Sequence, residues 1–340
     1  MRACRPVEAL VLDGHDGHVA AGTHRDRHRG SAELGRTLIH EHVLIAFPGW
    51  DLDAKAPRFD RGEVMARAID QMQALADLGV GTFVDPCPMD LGRDVEFLAE
   101  LSERSGMRIV CTTGAYHEAE GITHTFRYLP VEEITDIYVK EITEGVGDTG
   151  IKAGAIKIAT GAGHVSDYER KLVTAAARAA RATGVPLISH TQAATCGHDQ
   201  IDIVTGEGVA AERLVVGHSD GADDPAYHRS LAERGAFVGF DRFGISIIVP
   251  DEVRVRYVLA LARAGHTRRI LLSHDSIVCW RGRPVPYGQT YDEVLALVPD
   301  WRPTTILTKI VPQLLGGGLT PADVETILVD NPRRLFSPAA

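Results

Sequence analysis

The feature that most constrains this fold is a regular alternation of short apolar runs with longer helical stretches. From residue 37 onward, eight runs rich in β-branched and apolar residues recur, and each is followed by a segment of helical character. Strands that alternate with helices form a parallel sheet, and eight such units close most economically into an α/β fold, the (β/α)8 TIM barrel. The runs are 37–45, 80–86, 107–114, 153–160, 185–191, 213–219, 235–241 and 268–275.

Helix signals between the runs agree with this interpretation. A glycine follows the helical stretch in ADLGVG, ERSGMR, RATGVP, AERGAF and ARAGHT, as helix C-termini prefer. Ser166 and Glu169 have the spacing of a capping box, which predicts that a helix begins there. The predicted helices are 62–78, 91–105, 131–145, 166–183, 198–208, 224–234, 251–264, 290–297, 303–315 and 321–329.

The length of 340 residues fits one domain, because no low-complexity linker divides the chain and α/β barrels often exceed about 250 residues. We predict a single domain over 1–340, with an N-terminal strand pair and loop in 1–36 and the barrel in 37–337.

Net charge and cysteine usage restrict the partners and the compartment. A net charge of −10 argues against nucleic acid or an anionic membrane as the partner, because both need a basic face. No apolar run reaches the roughly 18 to 20 residues of a membrane span, and the first residues lack a signal-peptide core. Five scattered cysteines, never spaced as CxxC, fit reduced thiols. We therefore expect a cytoplasmic protein that binds neither nucleic acid nor membrane.

The exceptional residues in the apolar runs are of the types that bind metal ions or perform catalysis. A charged or imidazole side chain near the end of a buried strand must be paired, ligated or catalytic, because burying it alone costs several kcal/mol. The C-terminal strand ends of a barrel meet at one mouth, so residues distant in sequence can form one site there. The residues concerned are His40, His42, Lys157, His190, His218 and Asp275.

The first run contains two histidines at strand spacing. On a strand, His40 and His42 share one face and Glu41 points to the other. Imidazole with carboxylate suits Zn²⁺, and also Co²⁺, Mn²⁺ or Fe²⁺. A single HxH pair, strand lysine or strand-end histidine is more often structural than functional. Their conjunction on several strands favours a metal site.

Together these motifs resemble the phosphotriesterase family of the amidohydrolase superfamily, and are most similar to its phosphotriesterase-like lactonases. The resemblance extends from about residue 31 to residue 337. The matching stretches are ELGRTLIHEHVL, GAIKIAT, PLISHT, VVGHSD, GFDRFG, LLSHDS and ILVDNPRRLF.

The resemblance implies a binuclear centre at the C-terminal mouth of the barrel, with zinc as the favoured metal. Lys157, carboxylated by CO₂ to a carbamate, would bridge the two ions, since a carbamate is an anionic oxygen donor. The remaining ligands would be His40, His42 and Asp275 for the more buried ion, and His190 and His218 for the more exposed one.

The resemblance also implies a mechanism and an activity. Two ions share a water and lower its pKa, so that a bridging hydroxide attacks the substrate, while Asp275 takes or relays the proton. His274 should point to the opposite side of its strand and act in packing. The favoured activity is opening of a lactone ring, with slower hydrolysis of phosphotriesters.

Two further residues bear on the substrate and the chemistry. Tyr116 follows the third run and matches a tyrosine that approaches the metal centre in the lactonases. Arg242 follows the seventh run, where organophosphate-specialised members have a histidine that relays protons to a downstream aspartate. That aspartate position is Gly221 here, with Asp220 one residue earlier, so the sequence does not preserve the relay. Either residue could equally have no part in the reaction. Tyr116 would then be an aromatic side chain at the barrel rim, and Arg242 an exposed cation in a loop.

The segment 276–290 is the candidate substrate lid. Trp280 is predicted to form an apolar wall for an acyl or aryl group, while Arg281 and Arg283 are candidates to recognise a carboxylate or phosphate. Its CWRGRP pattern departs from that expected of the lactonases. The apolar stretch 243–250 is expected to line the pocket or a dimer contact.

Other functions stay open at this point. A dedicated phosphotriesterase (aryldialkylphosphatase), or a hydrolase of another carboxylic ester or an amide, would use the same centre, because loops choose the substrate. A non-catalytic binding barrel is the remote alternative. In every enzymatic case the partner is a small-molecule substrate, and the resemblance implies a homodimer.

Overall fold

The computed structural model describes residues 34–121, 124–283 and 290–337, and its centre is a parallel barrel. The N-terminal strand pair and most of the loop predicted in 1–36 lie outside the described residues. The strands, in chain order, are β1 (Arg36–Leu38), β2 (His42–Ile45), β3 (Val80–Asp85), β4 (Arg108–Gly114), β5 (Ala155–Thr160), β6 (Leu187–Thr191), β7 (Leu214–Val216), β8 (Phe237–Phe240), β9 (Ile270–Leu272) and β10 (Ile277–Trp280).

Eight of these strands form one parallel sheet in the order β1-β3-β4-β5-β6-β7-β8-β9. Each strand pairs in parallel with the next, and the sheet curls into a nearly closed barrel with helices outside. All eight correspond to the runs that the sequence predicts, so the (β/α)8 TIM barrel is confirmed.

The first run differs from its prediction, because it is two strands and not one. β1 ends at Leu38, and β2 leaves the barrel to pair in parallel with β10, with Ile277 opposite His42. The Glu41 backbone N–H still donates to the Val84 carbonyl of β3 at 3.0 Å. At Val43 a side chain replaces the ladder partner, because the backbone N–H donates to the Asp85 carboxylate at 2.9 Å.

Helices surround the barrel much as predicted, and Ser166 with Glu169 does form a capping box. The predicted helix 91–105 begins only at Val95, because the Asp94 carboxylate accepts the Phe97 backbone N–H and caps it. The helices are α1 (Arg61–Asp77), α2 (Val95–Ser105), α3 (His124–Tyr128), α4 (Val131–Thr143), α5 (Asp167–Thr183), α6 (Gly197–Gly206), α7 (Pro225–Glu233), α8 (Asp251–Leu261), α9 (Tyr291–Leu297), α10 (Val311–Gly316), α11 (Pro321–Glu325) and α12 (Asn331–Phe336).

The barrel interior contains an apolar layer below the mouth. Seven strands of the barrel and the residue directly after β1 each contribute one buried side chain to it, and Leu335 of α12 belongs to the same cluster. Burying each of the larger side chains stabilises the fold by roughly 1.5–3 kcal/mol. These residues are Ile39, which follows β1, and the strand residues Val84, Val110, Ala155, Ile188, Val215, Phe237 and Leu271.

Two residues further along the strands, toward the mouth, the side chains that point into the barrel are polar. Lys157 follows Ala155 by two residues, and His190 follows Ile188 by two, so each pair shares the inward face of its strand. The apolar layer therefore supports a polar cluster at the C-terminal ends of the strands. None of the helices in the described segments is both long and apolar enough to cross a lipid bilayer.

Candidate metal centre

All six residues that the sequence proposes as metal ligands come together at the mouth of the barrel. The Lys157 Nζ donates to His40 Nε2 at 2.8 Å, and His42 Nε2 lies 3.2 Å from Asp275 Oδ1. The ring centroids of His190 and His218 are 4.5 Å apart. The donor atoms of His40, His218 and Asp275 all lie within 4.8 Å of one another.

Asp241 orients two of the imidazoles at once. One carboxylate oxygen accepts from His40 Nδ1 at 2.9 Å and the other from His218 Nδ1 at 2.8 Å, while the His218 backbone N–H adds a third hydrogen bond at 2.7 Å. A Cβ on Gly239 would lie only 2.8 Å from the Asp241 carboxylate, so the glycine leaves the room that this residue needs. Both imidazoles therefore turn their Nε2 lone pairs toward the centre.

The other two imidazoles are held in the same manner. His42 Nδ1 donates to Asp85 Oδ1 at 3.0 Å, and His190 Nε2 donates to Gln192 Oε1 at 2.7 Å. An acceptor on one ring nitrogen selects the tautomer and fixes the ring of a metal-binding histidine. All four imidazoles of the cluster have such a partner, an arrangement typical of metal-binding histidines. In His190 the other ring nitrogen, Nδ1, lies 3.2 Å from the Tyr116 hydroxyl.

Burial and charge set the protonation of the cluster. Burial, assisted by the Lys157 charge, lowers the pKa of His40 to about 3, so this imidazole is neutral and able to ligate. Burial also lowers the pKa of Lys157 to about 8, against the attraction of Asp275 and Asp241. A neutral amine is the form that reacts with CO₂, and a pKa of about 8 makes it accessible near neutral pH.

His42 lies between two carboxylates. Burial lowers its pKa, but the hydrogen bonds with Asp275 and Asp85 outweigh burial and raise the pKa above its usual value. The position between these carboxylates thus stabilises positive charge. A divalent ion beside His42 and Asp275 would meet the same demand.

The backbone is left-handed at two of the proposed ligands. His218 has φ 58° and Asp275 has φ 55°, values that non-glycine residues adopt at a cost of about 1–3 kcal/mol each. Such strain persists only where the surroundings fix it. Here it occurs in the short segments that follow β7 and β9 and bring the two side chains to the cluster.

Glu41 fixes the segment that carries Asp275. Its fully buried carboxylate accepts from the His274 backbone N–H and Nδ1 and from the backbone N–H and hydroxyl of Ser276. His274 Nε2 accepts the Ile306 backbone N–H at 2.9 Å, so this histidine packs away from the cluster, as the sequence predicts. The outward-facing middle residue of HEH is therefore a support for the strand-end turn.

Tyr116 and Arg242 lie beside the cluster. The Tyr116 hydroxyl donates to His190 Nδ1 at 3.2 Å, and Arg242 Nε donates to Asp275 Oδ2 at 3.1 Å. Although burial raises the pKa of Asp275, its interactions with the surrounding imidazoles, above all His218 and His42, and with Arg242 outweigh burial and hold the pKa well below its usual range.

Trp280 belongs to strand β10 and packs against the ring of Phe47 at 5.4 Å between centroids. Both rings pack on the apolar cluster that Tyr116 also touches, so Trp280 forms part of a wall near the mouth. The lid predicted for 276–290 is thus partly strand, and residues 284–289 lie outside the described residues.

The two arginines of that segment have protein partners. Arg281 donates to Asp94 at 2.8 Å and stacks on Phe59 with its guanidinium 4.4 Å from the ring centroid. Arg283 donates to Asp53 at 2.6 Å. Because carboxylates of the chain already engage both guanidinium groups, the hypothesis that they recognise a substrate anion finds no support here.

The sequence analysis did not single out Asp85, Asp241 or Gln192. Asp85 and Asp241 end or directly follow apolar runs, so the rule that found His190 and His218 would also have found them. Gln192 stands two residues after His190 and carries no comparable signal. A second group of possible donors, His42, Asp85 and Cys87, includes the carboxylate that already orients His42.

Comparison with known proteins is consistent with this site. The model of the phosphotriesterase family matches residues 26–336. A phosphotriesterase homology protein of Mycobacterium tuberculosis is 34% identical over 314 residues, which cover 90% of this chain and 94% of that protein. An aryldialkylphosphatase of Saccharolobus solfataricus is 31% identical over 309 residues, which cover 90% of this chain and 96% of that protein.

A solved structure agrees over a similar length. A mutant of a PTE-like lactonase from Deinococcus radiodurans has a TM-score of 0.86 and 38% identity, with 96% of this chain and 100% of that chain covered. The family resemblance proposed from the sequence is therefore confirmed: the chain belongs to the phosphotriesterase family, and among its relatives it is similar to the PTE-like lactonases.

Proposed function

We propose that this chain opens lactone rings with a binuclear metal centre and hydrolyses phosphotriesters more slowly. Membership of the phosphotriesterase family makes it a metal-dependent hydrolase of small molecules. The observation that carries the proposal is the orientation of the four clustered imidazoles, each with one nitrogen on a protein acceptor. Metal-binding histidines almost always have such an acceptor on their second ring nitrogen.

The donor set fits two divalent ions. Four imidazoles, a carboxylate and a lysine with a lowered pKa are present at one buried place. We assign His40, His42 and Asp275 to one ion, His190 and His218 to the other, and the carbamate of Lys157 to both. Zinc suits this set best, although Co²⁺, Mn²⁺ and Fe²⁺ accept the same donors. When bound, the ions polarise the substrate oxygen and lower the pKa of a water.

The chain's own residues complete the chemistry. The surrounding imidazoles and Arg242 hold the pKa of Asp275 well below its usual range and keep it anionic, so it can accept the proton released when water attacks. Arg242, with its side chain 19% exposed, neutralises Asp275 and faces the mouth, where it can also contact the substrate. The Tyr116 hydroxyl lies beside the cluster at His190, where its oxygen can contact the substrate, and Trp280 adds an apolar surface.

Arg242 and Asp220 favour a lactone over a phosphotriester. The Asp220 carboxylate binds the Arg254 guanidinium and the backbone N–H of Arg242, and not the Arg242 side chain. A side-chain relay from Asp275 through residue 242 to Asp220 is therefore not formed. The resemblance to organophosphate-specialised members is weakest at this point.

A second candidate, a dedicated phosphotriesterase, is favoured by the aryldialkylphosphatase among the relatives. The two differ in their rim and not in the metal centre. We place either enzyme in the cytoplasm and expect a homodimer, consistent with the scattered cysteines and with the resemblance.

The deciding assay compares lactones, aryl phosphotriesters and N-acyl amino acids side by side with the metal-loaded protein. We expect the highest kcat/KM on a lactone and loss of all activity with EDTA, restored by zinc. Turnover that survives complete metal removal would contradict the centre, and a preference for phosphotriesters would support the second candidate.

Lys157→Ala tests the bridge separately. Because this variant lacks the amine that becomes the carbamate, it should lose metal and activity, and short-chain carboxylates should restore part of both. An unmodified Lys157 amine in a protein with two bound ions, seen by mass spectrometry and metal analysis, would disprove the bridge.

A further inference from the structure

We propose that the buried ion pair between Asp220 and Arg254 positions Arg242 against Asp275. The inference rests on the proposed function, because it assigns two more residues to the same site. Neither residue touches the proposed metal donors through its side chain, so both would act as positioning residues.

Asp220 lies just beyond the C-terminal end of β7, and its side chain is fully buried. Its Oδ2 accepts from Arg254 Nε at 2.6 Å and from the Arg242 backbone N–H at 3.2 Å. Its Oδ1 has no hydrogen-bond partner within the described part of the chain. The negative charge of Asp220 therefore depends on Arg254, and one of its oxygens holds the backbone of Arg242.

Arg254 is an unusual residue for its position. It lies in the first turn of α8, where the helix dipole disfavours a cation, and its side chain is fully buried. Two carboxylates compensate for this placement, Asp220 and Asp251, the latter 3.0 Å from the guanidinium. The helix itself gains nothing from a cation at this end, which indicates that the residue serves the loop it contacts.

That loop is the segment 243–250, which follows Arg242. The Arg254 guanidinium donates to the carbonyl oxygens of Ile245 and Val249, while both oxygens of Asp251 accept the Gly244 backbone N–H. Arg254 thus holds both ends of the segment. The backbone on each side of Arg242 has fixed attachment points.

Alternating charges connect this anchor to the site. Arg254 lies between Asp251 and Asp220, and Asp220 holds the backbone of Arg242, whose side chain reaches Asp275 at 3.1 Å. The imidazoles have separate supports in Asp241 and Asp85. Disturbing the Asp220–Arg254 pair should therefore displace Arg242 without removing the supports of the proposed metal ligands.

A double-mutant cycle tests the inference. Arg254→Lys and Asp220→Asn are each made alone and in an Arg242→Ala background, in the metal-loaded full chain. We expect each single change to lower kcat by about 10- to 100-fold, as small misplacements of catalytic groups do. In the Arg242→Ala background the same changes should cost less than about twofold, because the group they position is gone. Equal losses in both backgrounds would overturn the inference.

Arg213→Lys is the matched control. Arg213 is also a buried arginine, but it precedes β7 at the opposite end of the barrel and donates to the carbonyls of Gly184, Leu335 and Ser337. It should lower thermal stability much as Arg254→Lys does, while kcat and its dependence on Arg242 stay unchanged. A parallel fall in kcat would mean that destabilisation alone explains the Arg254 effect.

A readout without turnover separates this inference from the proposed function. In ¹⁵N-arginine-labelled protein, the Hε–Nε signal of Arg242, identified by its loss in Arg242→Lys, reports its hydrogen bond to Asp275. We expect slow exchange of this proton in the unmodified chain and fast exchange in Asp220→Asn. If the protein hydrolyses none of the three substrate classes, the proposed function fails, whereas slow exchange in Asp220→Asn would defeat the positioning role alone.

Discussion

Two regions at the mouth of the barrel differ in how firmly their side chains are held. At the polar cluster, every proposed imidazole ligand has a second partner, and all four rings are almost fully buried. At the rim, Ile247 and Ile248 of the segment 243–250 are 64% and 55% exposed. Since the fixed cluster performs the same chemistry on any substrate, selectivity belongs to the rim.

The largest effect should come from the cluster itself. Asp275→Asn keeps the shape of the side chain but cannot remain anionic or accept a proton, so we expect kcat to fall about 10³-fold while the fold survives. Steady-state kinetics with thermal melting would measure both quantities. Asp202→Asn, which alters an exposed carboxylate paired with Arg234, is the control.

Unchanged kcat in Asp275→Asn would remove the residue from the mechanism. A large loss of stability with little loss of kcat would instead mean that Asp275 has a structural role through its contacts with Arg242 and His42. The contrast between a catalytic cluster and a rim that selects the substrate would then fail.

The supports of the imidazoles should matter next. Asp241→Asn disturbs His40 and His218 together, whereas Asp85→Asn disturbs only His42, so the first should weaken metal binding about 100-fold and the second about 10-fold. Competition with a chromophoric chelator measures both affinities. The reverse order would contradict the idea that shared support governs the cluster.

The polar cluster could be predicted from the sequence because the geometry of parallel strands alone brings its residues together. His190 and His218 end apolar runs, and parallel strands end at one mouth, so no knowledge of loops was needed. The break after β1 was not predictable, because it depends on the Asp85 carboxylate taking the Val43 N–H, a contact between residues 42 positions apart. Periodicity within one run contains no such information.

The structure of the rim was harder to predict, because it too depends on contacts between residues far apart in sequence. The segment 276–290 contains turn residues, yet four of its residues form β10 because β2 has left the barrel and offers a pairing edge. Arg281 likewise has its partners, Asp94 and Phe59, far away in sequence. Local composition predicts a loop, whereas tertiary contacts determine which of its residues form a strand and which partners its side chains have.

A pH dependence distinguishes Asp90, a half-buried carboxyl group of the rim. Both oxygens of Asp90 accept the Tyr116 backbone N–H, and burial raises the pKa of Asp90 to about 7. Because the folded state binds this proton more tightly than the unfolded chain does, the contribution to stability is fully present below about pH 4 and is lost as pH rises through about 7.

The size of this loss follows from the shift. With a discount for the partial exposure of the carboxyl group, we expect it to reach about 2 kcal/mol. Asp90→Asn keeps an acceptor for Tyr116 and removes the titration, so its unfolding free energy should depend less on pH. Urea unfolding between pH 4 and 8 measures the difference, and parallel curves for both proteins would refute the assignment.

The smallest effect should come from the exposed rim. Ile247→Ser replaces an exposed apolar side chain, which costs within about 0.5 kcal/mol of stability and leaves every contact of the cluster intact. If the segment 243–250 lines the path of an acyl chain, KM for a long-chain lactone should rise about threefold, in line with the loss of about one buried methylene's worth of contact. Neither kcat nor KM for a lactone without a side chain should change, and metal content should stay the same. A change in metal content would show that rim and cluster are coupled. It would contradict the view that the cluster performs the chemistry while the rim determines selectivity.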